Sequence, residues 1–102
     1  MSIDQNTHRE AFDEYASRII EFESVEEIIL FGSVARKSHG VNSDVDVFIK
    51  VENMSEKDLI EEKAFETSLE KEVSITPVIK KKKSENSLME DIREEGVKYV
   101  RS

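Results

Sequence analysis

Residues 28–51 read IILFGSVARKSHGVNSDVDVFIKV, two apolar runs separated by a turn-rich segment that closes with two aspartates. The pattern predicts a strand ending at Phe31, a turn at Gly32 and Ser33, a short helix, a loop holding Gly40, Asn42 and Ser43, and a second strand from Val45 to Val51. Side chains alternate across a strand, so the apolar Val45, Val47, Ile49 and Val51 define a core face. Asp44, Asp46, Phe48 and Lys50 form the other face, polar toward its start. Asp44 and Asp46 therefore share a face, with Cβ atoms roughly 6 to 7 Å apart. That spacing suits metal ions: two-metal sites hold them about 3.5 to 4 Å apart, and Mg²⁺ takes oxygens at about 2.0 to 2.1 Å. Gly32 lets a ligand approach the backbone without meeting a Cβ. Ser33 offers a hydroxyl and an N–H at the start of the predicted helix, where phosphate is attracted. Each half also has an ordinary reading, as strand-end aspartates and as a generic turn with an N-cap. Aspartate is depleted in strands, however, and a pair at the mouth of an apolar strand calls for a partner such as a cation.

Working outward, apolar residues Phe12, Tyr15, Ala16, Ile19, Ile20 and Phe22 predict an amphipathic helix from Asp4 to Glu23, and Val25 to Phe31 reads as a buried strand. Ser55, with Asp58 three residues on, predicts an N-cap for a helix running to about Leu69, its apolar stripe being Leu59, Ile60, Ala64, Phe65 and Leu69. A third strand is expected from Glu72 to Ile79, with Val73 and Ile75 on one side and Glu72, Ser74 and Thr76 on the other; Pro77 implies an edge or a bulge. Lys80 to Lys83 read as a solvated hinge. A last helix, from about Ser87 to Glu95 with Leu88, Met89 and Ile92, stops at Gly96, and Val97, Tyr99 and Val100 suit a short final strand. Helices interspersed with strands give an α/β class, and 102 residues are expected to form one domain, 1–102.

Lys plus Arg number 15 against 23 Asp plus Glu, a net charge of −8, which disfavours direct nucleic-acid binding and attraction to anionic lipid. There is no Cys, and the two histidines, His8 and His39, are too few for a His-based zinc site, so a metal here must be held by oxygen. His39 reads as a solvated loop residue. No apolar leader follows Met1 and no apolar run reaches membrane-spanning length, so a soluble cytoplasmic protein is expected.

Gly32-Ser33, ten residues, then Asp44-Val45-Asp46, together with Ala35-Arg36 and Ser43, resembles the signature of the DNA polymerase beta type nucleotidyltransferase superfamily. The chain length resembles its minimal nucleotidyltransferases, many of them encoded beside a HEPN-domain toxin as its antitoxin. Beyond Val51 only the order of predicted elements matches. The resemblance implies a small mixed β-sheet with helices packed on it. It implies Asp44 and Asp46 as catalytic residues holding two Mg²⁺ ions, and Gly32, Ser33 and Arg36 as nucleotide-binding residues; Arg36 suits either a phosphate contact or a pair with a helix carboxylate. It further implies transfer of a nucleoside monophosphate, AMP from ATP, onto a tyrosine hydroxyl of a HEPN-type toxin. Two departures stand out. The superfamily's third carboxylate should fall at Ser74 or Thr76, neither of them acidic, with Glu72 the candidate substitute one pleat away. Lys37 stands where a glycine commonly follows the Ala-Arg pair. An antitoxin acting mainly by protein contact and a nucleotide sensor are the rival readings.

Overall fold

The computed structural model describes residues 5–32, 44–81 and 96–99. The predicted helix after Ser33, the loop bearing Lys37, His39, Gly40, Asn42 and Ser43, the residues Lys82 and Lys83, and the predicted helix 87–95 lie outside them. The described elements are α1 (Gln5–Ile19), β1 (Val25–Phe31), β2 (Val45–Val51), α2 (Lys57–Lys71), β3 (Ile75–Lys81) and β4 (Val97–Lys98). Four strands form one mixed sheet in the order β3-β2-β1-β4.

β1 and β2 have the bounds the sequence predicts and pair antiparallel, Ile28 against Ile49, Leu30 against Val47 and Phe31 against Asp46. A bulge between Val25 and Glu27 shifts the register, so that Val25 and Ile28, which strict alternation would put on opposite faces, both enter the core. α2 carries the chain across to β3, which pairs parallel with β2; parallel neighbours require such a crossover. Pro77 sits on this edge strand, as a residue without an N–H must. β4 pairs with β1 on the opposite edge, and Tyr99 meets Phe12 edge to face at 6.3 Å between ring centroids.

Both helices pack on one sheet face. α1 contributes Ala11, Phe12, Tyr15, Ala16 and Ile19, and α2 contributes Ile60 and Ala64, to a core completed by Ile28, Leu30, Val45, Val47, Ile49 and Val51. The Tyr15 hydroxyl donates to the Ile60 carbonyl at 2.9 Å, tying the helices together inside the core. Arg18 donates to Glu14, Thr67 and Glu70 at their outer seam. On the opposite sheet face Ile29 and Phe48 form a smaller cluster with Phe31 and Val78.

Several boundaries differ from the sequence expectation, each for a tertiary reason. α1 stops at Ile19 rather than Glu23, because the Ser24 N–H donates to Glu56 and the Ser24 carbonyl accepts from Glu52, which fixes the chain for entry into β1. The N-cap of α2 is Glu56, not Ser55: the Glu56 carboxylate is engaged by Ser24, while Ser55 donates its N–H to Asn53. α2 runs two residues past Leu69 and ends on Glu72, in a left-handed conformation with φ 55°, whose N–H donates to Ser68. Glu72 is therefore a helix cap and not a strand residue, and β3 begins only at Ile75. The expected apolar stripe of α2 divides: Ile60, Ala64 and Thr67 face inward, whereas Leu59, Phe65 and Leu69 are exposed.

Candidate functional site

The site begins where β2 begins. Asp44 directly precedes the strand and is exposed; Asp46 is its second residue and half-buried. The parallel register sets Asp46 beside Thr76, and the Val45 N–H donates to the Ser74 carbonyl at 2.8 Å, which holds the start of β2 against the approach to β3. Val78 packs with Phe48 on this face while Ile75 enters the core with Val45 on the other. Thr76, two residues before Val78, therefore shares the face of Asp46. On the other flank Asp46 pairs with Phe31, which leads into Gly32.

Gly32 has φ +77°, a conformation glycine adopts at little cost. A Cβ built there would lie 3.3 Å from the Asp46 Cγ and 3.4 Å from its Cβ, and closer still to Oδ2. Sequence reasoning reserved the space beside Gly32 for a ligand; the structure shows that the Asp46 carboxylate already fills it. Only the register of β1 on β2 reveals this contact.

Burial first, and the neighbouring Asp44 charge second, hold the Asp46 carboxyl above its ordinary range. A cation beside the Asp46 carboxylate would relieve that cost. Two carboxylates on one face, oxygen donors only, fit Mg²⁺, whose remaining positions are commonly filled by water and phosphate oxygens. Among the described residues no third acidic or histidine side chain joins them. The positions on the face of Asp46 are Ser74 and Thr76, as the sequence predicts, and both are neutral. Glu72, the candidate substitute, is excluded by its place as the exposed cap of α2. Ser33 and Arg36 lie outside the described residues, so the structure brings together Gly32, Asp44 and Asp46 of the five predicted site residues.

The family model described as "Nucleotidyltransferase domain" matches residues 9–99. A protein of Methanocaldococcus jannaschii, provisionally named a protein adenylyltransferase, is 37% identical over 78 residues, covering 74% of this chain and 79% of its own. Among solved structures, a crystal structure of a toxin-antitoxin with AMP-PNP aligns at TM-score 0.61 and 15% identity, covering 98% of this chain and 75% of that one. A Sulfolobus solfataricus protein, provisionally named a nucleotidyltransferase, aligns at TM-score 0.51 and 17% identity, over 95% of this chain and 79% of that one. The two structural likenesses establish the fold.

Proposed function

This chain belongs to the nucleotidyltransferase domain family, and we propose that, as one such domain over 1–102, it transfers AMP from Mg²⁺-bound ATP to a hydroxyl of a protein partner. The partner in this reading is the toxin of a toxin-antitoxin pair, HEPN-type, with a tyrosine as acceptor. The observation that carries the reading is the convergence of Asp44 and Asp46 on one sheet face, with Gly32 holding space for the Asp46 carboxylate.

Asp44 and Asp46 would hold Mg²⁺, two ions at full occupancy, which when bound supplies charge neutralisation at the phosphates. Gly32 keeps the Asp46 carboxylate in position. Ser33 donates its N–H and hydroxyl to phosphate, and Arg36 adds a cation. The acceptor oxygen bonds to the α-phosphorus as the bond to the β-phosphate bridging oxygen breaks, and pyrophosphate leaves with that electron pair. The acceptor's proton has no third carboxylate to receive it among the described residues, and passes to water. Positioned bases contribute about 10² to 10⁴ in rate, so transfer is slow rather than absent, while positioning and charge neutralisation remain. The same deficit favours a second reading, an antitoxin that neutralises its partner by contact.

Incubation with Mg²⁺, ATP labelled on its α-phosphate and the product of the neighbouring gene separates these readings. Label on a partner tyrosine, lost in Asp44→Asn/Asp46→Asn, is the expected result. A stable unlabelled complex refutes transfer in favour of contact, and neither label nor complex refutes the assigned partner.

A further inference from the structure

α2 turns large apolar side chains in two directions. Ile60, Ala64 and Thr67 face the core, but Phe65 and Leu69 are each 66% exposed and Leu59 is 46% exposed. Phe65 follows Ile60, and Leu69 follows Ala64, by five residues, about 140° around the helix at 3.6 residues per turn, so both lie on its outer side. They continue a single stripe, Asp58, Glu62, Phe65, Leu69, at four- and three-residue steps. All four are exposed. Lys63 pairs with Glu66 and Arg18 with Glu70, whereas Asp58 and Glu62 make no ion pair among the described residues. Asp58 also lies in the first turn, where it complements the helix N-terminus; Glu62, a turn further on, has no such role.

Isolated exposed apolar side chains are ordinary. Here an aromatic and a leucine one turn apart continue into two carboxylates without cations, and that order defines a complementary surface: an apolar pocket bordered at one end by lysine or arginine. We propose that this outer face of α2 is the docking surface for a basic protein partner, which seats Phe65 and Leu69 in an apolar pocket and pairs its cations with Asp58 and Glu62. Charge selects this occupant. A chain of net charge −8 with unpaired acids on the stripe repels anionic lipid and opposes a second copy of itself. α2 packs on the core face of the sheet, while Asp46 and Thr76 lie on the other, so a partner docked on α2 reaches the carboxylate site only with a segment that extends around the edge of the domain.

The proposal rests on the toxin partner of the preceding reading, so the test uses the full chain and the product of the neighbouring gene. Phe65→Ser/Leu69→Ser should weaken partner binding about 100-fold or more, as buried anchors at an interface do, while helix content and Mg²⁺-dependent ATP binding stay at wild-type values. Glu62→Gln should slow association and flatten its salt dependence. Wild-type affinity in the double variant overturns the docking surface and leaves the partner assignment standing. A wild-type chain that binds no partner overturns the partner assignment, and the docking proposal falls with it. A wild-type dimer in sedimentation that the double variant dissolves assigns the face to a second copy and likewise overturns the proposal.

Discussion

Thr76→Asp is the perturbation that probes the carboxylate face most sharply, because the parallel register sets residue 76 directly beside Asp46. Adjacent strands lie about 4.8 Å apart, so the new carboxylate would stand about 5 Å from that of Asp46. At that separation two unit charges repel by about 3 kcal/mol at an effective dielectric of 20 and about 0.8 kcal/mol in bulk water. Thr76 is exposed, which favours the lower part of that range, and a loss of about 1 to 2 kcal/mol is expected in EDTA. For a domain of this size each kcal/mol moves the melting temperature by about 4 to 8 °C. Thr76→Asn controls for strand propensity and shape without adding charge. In thermal unfolding followed by circular dichroism, the Asp variant should melt about 4 to 16 °C below the Asn variant in EDTA, and Mg²⁺ should close the gap as a cation neutralises the cluster. Transfer to the partner should accelerate by up to about 10² to 10⁴, the contribution of a positioned base. Equal melting of the Asp and Asn variants in EDTA, with no added gain from Mg²⁺, would refute the placement of residue 76 beside the pair.

Three further outcomes follow from particular contacts. Because the folded protein holds the Asp46 carboxyl above its ordinary range, this group binds its proton more readily in the metal-free fold than in the unfolded chain. Its contribution to stability should therefore fall as pH rises from about 3.9 through the raised value, and Asp46→Asn should remove that contribution in denaturant titrations with EDTA, leaving stability above that range higher relative to acid than in the wild type; an unchanged pH profile contradicts the cause assigned. Gly32→Val forces a branched side chain into a left-handed backbone and onto the Asp46 carboxylate, so Mg²⁺-dependent ATP binding should fall below detection by calorimetry, and wild-type affinity would show that neither Gly32 nor Asp46 positions the nucleotide. Tyr15→Phe removes the buried bond to the Ile60 carbonyl and should lower the urea midpoint by the equivalent of about 1 kcal/mol without altering ATP binding; an unmoved midpoint would mean that bond contributes nothing net.

The strands flanking the site were legible because a period of two is a strong signal when one face is wholly apolar, and Val45, Val47, Ile49 and Val51 leave no competing register. Gly32 and the Asp44–Asp46 pair were visible as residue types at a spacing. Their mutual contact was not, since it depends on Phe31 pairing with Asp46 across the hairpin. The place of the superfamily's third carboxylate was expected at Ser74 or Thr76 from the resemblance and the order of elements, and the register sets Thr76 beside Asp46. Glu72 was misread because alternation says nothing about where a helix ends, and a non-glycine residue in a left-handed cap leaves little trace in sequence. The apolar stripe of α2 was misread by counting apolar residues without their angles: Phe65 lies about 140° from Ile60, and a helix cannot turn both to one core. The truncation of α1 reflects the bond that the Ser24 N–H donates to Glu56 and the one its carbonyl accepts from Glu52, partners about thirty residues away in the chain, which local pattern cannot report.

The central claim, that Asp44 and Asp46 together hold the metal-bound nucleotide, is tested most directly by calorimetric titration of ATP into the wild-type protein and into Asp44→Asn/Asp46→Asn, each with Mg²⁺ and with EDTA. The account predicts much tighter binding with Mg²⁺ in the wild type, and loss of that difference in the double variant while its circular dichroism spectrum stays unchanged. Equal ATP affinity with and without Mg²⁺ in the wild-type protein would contradict it.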